Sequence, residues 1–441
     1  MSANASSPKG LGLSAKARRT GQPPISYLMA VVVANPKLIN LAAGFVDPLT
    51  LPVEPVRQIT QNLLADTGRG RAALQYDTTQ GLAGLRRAAV EHLEKLDGKS
   101  AAELGISERD LVITTGSQQA LYLIGDVLID PGDIVITANP CYFVFTGTLA
   151  SLGAKVLTVP MDEQGMDVEA VDRLLARLAE QGLLEKVKLI YTTSYYQNPT
   201  GLTLSLPRRS RLLEIAKTFS GKRRIIVLED AAYRELRYDG PALPSIKSFD
   251  PQNQYTVLTQ TFSKPFAPGL KTGYTAMPAD LLEAVMHQKG NHDFGSSNLA
   301  QHIALEAMLS GAYERQARLL CDSYRRKRDA MLEALQRHMP SSAGIGWTRP
   351  AGGLYVWVTW PEAIDTSRGG RLFESCIDRG VIYVPGDYCF QPDEKGRVPK
   401  NHMRLSFGQV SAEQIEPGVQ RLAQAAASCL ATSNQQPATS L

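Results

Sequence analysis

The chain has 441 residues, of which 44% are hydrophobic and 20% are charged, and its formal net charge is +4. This composition is typical of a soluble globular protein, and the length predicts two domains. Because the charge is weak and no Lys/Arg run alternates with aromatic residues, nucleic-acid binding is not indicated. The longest apolar runs, such as residues 29–34, are far too short to span a membrane.

The first 46 residues carry five Lys or Arg residues and no acidic residue. An organellar transit peptide would also be basic and poor in acids. Prolines and glycines interrupt an amphipathic helix here, so we prefer a flexible arm over residues 1–24. A segment over residues 25–50 is then expected to join the smaller domain.

From about residue 111, short β-branched runs alternate with segments of helical period. This alternation predicts a mostly parallel, helix-covered sheet built by right-handed crossovers, in a large α/β domain over residues 51–311. The predicted strands are 111–114, 133–136, 155–158, 187–191, 225–228 and 255–258, and the predicted helices between them include 118–127, 168–178 and 208–217.

Beyond residue 311 the pattern changes to a long helical tract at 313–338, three strand candidates and a final helix at 411–427. The strand candidates are 354–359, 381–384 and 403–407. This order predicts a smaller α+β domain over residues 312–430. The tail at 431–441 is rich in Ser, Thr, Asn and Gln and is predicted to be disordered.

The five cysteines are scattered and include no CxxC pair, and the six histidines include no HExxH pair. Cysteines of this kind indicate a reducing compartment and argue against disulfides and a zinc site. We therefore expect a cytoplasmic protein without a metal.

The sequence QTFSKPFAPGLKTG at 260–273 places Lys264 directly after a predicted strand, with a second cation at Lys271. Ligands of open α/β sheets bind at this edge, and a lysine amine kept from water loses its proton readily. Such a lysine serves as a Schiff-base former or a general base. The alternative is a surface Ser-Lys turn before a proline.

Three more segments follow predicted strands and lead to the same edge. In TTGSQQA at 114–120, backbone N–H groups and the Ser117 hydroxyl form a candidate phosphate cradle, unless Ser117 is an ordinary helix cap. The segments NPCY and YQNPTG bring Tyr142 and Asn198, which could instead be a packing residue and a plain turn.

Asp230 ends an apolar strand, with Tyr233 three residues later. A carboxylate in this position is costly unless it meets a cation or several hydrogen-bond donors. One natural partner is a protonated ring nitrogen. The alternative is an aspartate that caps the following helix.

The motifs TTGSQQAL, YQNPTG, LEDAAY and TFSKPFAPGLK occur in this order, and together they resemble the pyridoxal-phosphate enzymes of aspartate-aminotransferase-like fold. Within these enzymes the chain is similar to the branch that includes aminoadipate and kynurenine aminotransferases, over residues 41–407. The resemblance implies bound pyridoxal 5'-phosphate, a homodimer with shared active sites, and ping-pong transfer of an amino group between an L-α-amino acid and a 2-oxo acid. Another pyridoxal-phosphate reaction, such as β-elimination or side-chain replacement, is the alternative.

The resemblance also implies a role for each matched residue. Lys264 would bind the cofactor covalently and then move the substrate proton, while Asp230 would keep the ring nitrogen protonated. Arg404 would clamp the substrate carboxylate through its planar fork. The other implied contacts are Tyr233 and Asn198 with the ring hydroxyl, Tyr142 with the ring face, Ser117, Gln118, Thr261, Ser263 and Lys271 with the phosphate, Gly44 and Asn198 with the substrate, and Tyr76 with the phosphate of the neighbouring subunit.

The chain departs from the family pattern in three ways. Lys271 stands where the family usually has arginine, so the charge is kept but a two-pronged contact is lost. The segment at 291–298 does not match the pattern, and we interpret its His292 as a helix-end residue rather than a substrate contact. No arginine occurs between residues 25 and 41 to hold a distal carboxylate, which puts a dicarboxylic donor in doubt.

A transcriptional regulator that uses such a domain as an effector sensor is a hypothesis from a different class. These regulators carry a DNA-binding domain ahead of the pyridoxal-phosphate domain. Residues 1–46 are too short and contain too many prolines for one, so this hypothesis is disfavoured.

Overall fold

The computed structural model describes residues 11–339 and 344–433. Within these ranges, one central sheet of seven strands organises the large domain, in the order β1-β7-β6-β5-β4-β2-β3. Its strands are β1 (Leu111–Thr114), β2 (Ile134–Ala138), β3 (Lys155–Val159), β4 (Val187–Thr193), β5 (Ile226–Asp230), β6 (Thr256–Thr261) and β7 (Gly273–Ala276).

The sheet is parallel except at β7, which runs antiparallel to both of its neighbours. Most of the strands are buried along their whole length because helices cover both faces of the sheet. The six predicted strands are present, so the expected mostly parallel, helix-covered sheet is confirmed. Strand β7 was not predicted, since the short sequence GYTA has little β-branched content.

Helices surround this sheet and form much of the smaller domain. Helix bounds agree with the predicted segments to within a few residues wherever the sequence has a clear amphipathic period. In the described residues, the helices of five or more residues are α1 (Ala15–Arg19), α2 (Pro24–Ala34), α3 (Val53–Ala65), α4 (Thr67–Leu74), α5 (Ala83–Asp97), α6 (Gly116–Leu128), α7 (Phe143–Leu152), α8 (Val168–Glu180), α9 (Leu206–Phe219), α10 (Ala279–His292), α11 (Asn298–Leu309), α12 (Ala312–His338), α13 (Arg371–Asp378) and α14 (Ala412–Ser433). None of them is long and apolar enough to cross a membrane.

The smaller domain contains a four-stranded antiparallel sheet in the order β8-β9-β11-β10. Its strands are β8 (Gly346–Trp347), β9 (Tyr355–Thr359), β10 (Val384–Pro385) and β11 (His402–Ser406). The expected smaller α+β domain is therefore confirmed as a fold class, while the domain boundaries stay predictions. The short strand Ile39–Asn40 pairs with Val381–Ile382, which places the N-terminal segment beside this domain.

Both ends of the chain contain helix that the sequence did not predict. In the predicted arm, α1 contacts the large domain because Lys16 Nζ donates to the Tyr122 hydroxyl at 2.7 Å and to Asp126 Oδ1 at 2.9 Å. Helix α14 runs to Ser433, so the predicted tail begins inside it. Residues 1–10 and 434–441 of the arm and tail lie outside the described residues.

Candidate active site

A cavity of about 470 Å³ lies where β4, β5 and β6 end, and the smaller domain closes its other side. Twelve of the thirteen predicted site residues line it, so local motifs far apart in the sequence meet at one edge of the sheet. They are Gly44, Ser117, Gln118, Tyr142, Asn198, Asp230, Tyr233, Thr261, Ser263, Lys264, Lys271 and Arg404.

Lys264 follows β6 and its amine points into this cavity. Nζ donates a hydrogen bond to the carbonyl oxygen of Gly44 at 2.9 Å. Burial lowers the pKa of the Lys264 amine, and the nearby cations Arg404 and Lys271 lower it further. These surroundings therefore shift the amine towards its neutral form, which is the nucleophilic form.

Asp230 is the last residue of β5 and is only 5% exposed. The Tyr191 hydroxyl donates to its Oδ2 at 3.0 Å, and the backbone N–H of Ala232 donates to Oδ1 at 3.2 Å. Burial nevertheless raises the pKa of this carboxyl group from 3.8 to about 6. The two donors do not fully offset the lost hydration, and a cationic partner would stabilise the ionised form.

Arg404 lies on β11 and is 2% exposed. Its Nη1 donates to Asn198 Oδ1 at 2.7 Å and its Nη2 donates to the carbonyl oxygen of Ala42 at 2.7 Å. Its buried Nε has no hydrogen-bond partner, and no carboxylate of the described chain lies within 4.0 Å to form an ion pair with it. A buried guanidinium without a counter-charge is a ready site for a carboxylate ligand.

Tyr355 on β9 connects several of these groups, and the sequence analysis missed it. Its hydroxyl lies 3.0 Å from the Tyr233 hydroxyl, and its ring centroid lies 4.2 Å from the guanidinium carbon of Arg404. A Cβ atom at Gly44 would clash with the Tyr355 hydroxyl, so a larger residue at this position would displace the Tyr355 side chain. Tyr355 was missed because LYVWV reads as an ordinary buried strand.

The candidate phosphate cradle forms at the start of α6, where Ser117 and Gln118 occupy the first turn. Thr261 Oγ1 and Ser263 Oγ are 2.9 Å apart on the lysine loop. A Cβ atom at Gly273 would lie 3.0 Å from the Ser117 backbone nitrogen, so glycine allows β7 and the helix start to approach closely. Hydroxyl groups, helix N–H groups and Lys271 thus surround one space suited to an anion.

The two predicted tyrosines at the edge of the site differ in their placement. Tyr142 lines the cavity and donates to Gln118 Oε1 at 3.3 Å, and burial raises the pKa of its phenol. Tyr76 is 82% exposed and does not line the cavity of its own chain. Its ring packs edge-on against Phe294, with ring centroids 5.6 Å apart.

The segment at 291–298, which does not match the family pattern, contacts the phosphate cradle through hydrogen bonds. Asp293 accepts hydrogen bonds from Gln119 Nε2 at 2.6 Å and from Lys289 Nζ at 2.8 Å, which ties α10 to the first turn of α6. His292 is the last residue of α10 and does not line the cavity, in agreement with its interpretation as a helix-end residue.

The buried carboxyl of Asp230 yields a prediction for the cofactor-free protein. The pKa of this carboxyl group is higher in the folded chain than in the unfolded chain. The free energy of unfolding therefore decreases as the pH rises from about 4 to about 6. Asp230→Asn has no charge to bury. We expect its free energy of unfolding to equal that of the wild type near pH 4 and to exceed it by about 3 kcal/mol at pH 7. Urea unfolding at both pH values measures this, and a difference independent of pH would contradict it.

Comparison with known proteins supports the resemblance to aminotransferases that the sequence motifs indicate. The model of the family "Aminotransferase class I and II" matches residues 36–422. The chain is 37% identical to aromatic-amino-acid aminotransferase 1 of Thermococcus litoralis, covering 89% of each chain, and 32% identical to 2-aminoadipate transaminase of Thermus thermophilus, covering 90% and 92%. The crystal structure of multiple substrate aminotransferase from Thermococcus profundus superposes with a TM-score of 0.86 at 35% identity, covering 95% and 98%.

These matches extend over most of the chain and over most of each relative. They confirm the expected transfer of an amino group, and nothing in them favours β-elimination or side-chain replacement. The chain therefore belongs to the class I and II aminotransferase family, and it is an enzyme that transfers an amino group between an amino acid and a 2-oxo acid.

Proposed function

We propose that this aminotransferase holds pyridoxal 5'-phosphate in the cavity beside Lys264 and runs a ping-pong exchange between an L-α-amino acid and a 2-oxo acid. The observation that carries this proposal is one cavity that contains a buried amine, a buried carboxyl and a buried guanidinium without a counter-charge. Its family is pyridoxal-phosphate-dependent.

The residues of the cavity fit the three functional groups of this cofactor. Asp230 needs a cation, which the protonated ring nitrogen would supply. Lys264 has a lowered pKa and would bond to the aldehyde carbon. The cradle at the start of α6 would hold the phosphate, with the charge of Lys271 beside it.

When bound, the cofactor supplies an electron sink that stabilises negative charge at the substrate Cα. The chain supplies binding, orientation and proton transfer. Arg404 and Asn198 would bind the substrate carboxylate, which fixes the Cα next to the Lys264 amine. Lys264 would then take and return the Cα proton, while Tyr233 and Tyr142 orient the ring and exclude water.

Lys264→Ala is the direct test of the proposed chemistry. Because it removes both the covalent attachment and the proton carrier, we expect activity to fall by at least about 10³-fold. Wild-type holoenzyme treated with borohydride should carry the cofactor on the peptide that contains Lys264. Lys222→Ala, at an exposed lysine of the same domain, is the matched control and should keep full activity. A label on another lysine would refute the assignment.

The walls of the cavity also favour a class of substrate side chain. Among the described residues, its cationic side chains are those of Lys264, Lys271 and Arg404, and the proposal uses all three. The remaining space is bordered by apolar groups that include Ile25 and Phe45. A second carboxylate on the substrate would thus be buried without a counter-charge, so we propose that apolar or aromatic amino acids are preferred.

A panel of amino donors with one fixed 2-oxo acid tests this preference. We expect kcat/KM for L-phenylalanine or L-leucine to exceed that for L-2-aminoadipate or L-glutamate by at least about tenfold, which corresponds to about 1.4 kcal/mol. Equal values for the two classes would contradict this preference, because they would mean that a dicarboxylic side chain binds to a cation that these walls lack.

An apolar surface supports a homodimer. Helices α3, α4 and α11 pack against one another and expose large apolar side chains. Leu64 is 44% exposed, Leu74 is 69% and Leu309 is 66%. A surface of this kind marks a protein interface. We propose that a second copy covers it and that Tyr76 then reaches the phosphate of the partner's site.

Subunit mixing tests this shared site. Tyr76→Ala is expected to weaken cofactor binding, and Lys264→Ala to be inactive. A mixed dimer places an intact Lys264 beside an intact Tyr76 in one of its two sites, so refolding the two variants together should restore activity. A mixture no more active than the average of its components, or a sedimentation mass of one chain, would contradict the proposal.

A further inference from the structure

A second cavity, of about 730 Å³, lies between α5, α12 and the loop that follows β5. It shares no lining residue with the catalytic cavity. Its volume is within the range of small-molecule binding sites. None of the roles assigned above uses it.

The floor of this cavity carries excess negative charge. His92 Nε2 lies 3.0 Å from Glu235 Oε2, and both side chains are at least nine-tenths buried. Burial opposes the charged form of His92, but Glu235 and Glu314 outweigh burial and raise the pKa of the imidazole. Two carboxylates thus lie near one imidazole, and the guanidinium of Arg234, which also lines the cavity, is already paired with Asp97 at 2.6 Å. The Oε2 atom of Glu314 is buried and has no hydrogen-bond partner, so it is an acceptor that lacks a donor.

Three exposed cations line the rim of the cavity, namely Lys95, Arg237 and Arg318. Two exposed carboxylates, Asp239 and Asp322, line it as well, but both lie within 4.0 Å of Arg325, which is outside the cavity. Glu314 and Arg318 lie one turn apart on α12, yet in the described part of the chain none of the three cations has a carboxylate within 4.0 Å. A ligand anion would therefore meet cations that are not already paired.

Apolar surface connects the floor to the rim. Tyr195 and Tyr196 line the cavity and are 3% and 5% exposed, and Leu96 and Leu243 lie beside them. Such walls suit a short aliphatic or aromatic group. The cavity thus offers an acceptor for an ammonium group, an apolar wall and cations for an anionic group.

From this arrangement we propose that the second cavity binds a zwitterionic amino acid, with its ammonium group at Glu314 and its carboxylate at Arg318 and Lys95. Each charge of such a ligand meets the opposite charge of the protein. An anion without an amine would be repelled by the carboxylates of the floor, and an amine without an anion would leave the cations of the rim without a partner.

The probe for this site is α-methyl-L-leucine, which has no Cα proton and so is not converted by the holoenzyme. Calorimetric titration of wild-type holoenzyme is expected to show two sites per chain. The catalytic site is separately visible through the absorbance of the cofactor. In Glu314→Gln we expect the second dissociation constant to rise at least about tenfold, because a charge-assisted hydrogen bond is lost, while the absorbance titration stays unchanged.

Matched controls separate binding from folding. Glu333→Gln makes the same substitution at an exposed position of α12 and should keep both sites. Arg318→Ala removes a cation from the exposed rim, where it does not disturb the core, and should also weaken the second site. The analogues 4-methylpentanoate and 3-methylbutylamine, which each lack one charge, should bind there at least about tenfold more weakly.

Three results would overturn the proposal. The first is a single binding site per chain in the wild type. The second is an unchanged second site in both Glu314→Gln and Arg318→Ala. The third is tight binding of 4-methylpentanoate or 3-methylbutylamine, equal to that of the zwitterion, at the second site.

Discussion

Burial of charge without a full set of partners is the constraint on which this site depends. Asp230 and Arg404 are buried and Lys264 is half-buried, so each ionised group is costly there. Burial raises the pKa of the carboxyl and lowers the pKa of the amine, so both shifts have the same physical origin. A ligand that brings a ring cation and a carboxylate would relieve this cost and gain affinity from it.

The order of the strands explains how these groups meet. Strands β4, β5 and β6 are neighbours and run in parallel, so the residues that follow them reach one edge. Strand β7 returns antiparallel beside β6, and Gly273 lets it approach the start of α6. The sheet therefore brings the lysine loop and the phosphate cradle together, although more than a hundred residues separate them in the sequence.

The sequence predicted the parts of the fold and site that depend on local signals. Strand runs, amphipathic helices and the motifs at strand ends are such signals, and the motifs identified twelve of the residues that line the cavity. Tyr191 and Tyr355 were missed because each sits in an apolar strand, and only the fold shows what its hydroxyl meets. Helix α2 was missed because PISYLMAVVVA has no polar face, which leaves no periodic pattern to detect.

The two cavities lie on opposite sides of the segment 230–235. Asp230 and Tyr233 face the catalytic cavity, whereas Arg234 and Glu235, the next residues along the chain, face the second one. The buried ion pair of Arg234 with Asp97, at 2.6 Å, holds this segment in place. A ligand that displaces Glu235 must therefore either strain that pair or move Tyr233 with it. Because coupling between two sites is reciprocal, any change that a ligand of the second cavity makes in substrate affinity equals the change that the substrate makes in the affinity of that ligand.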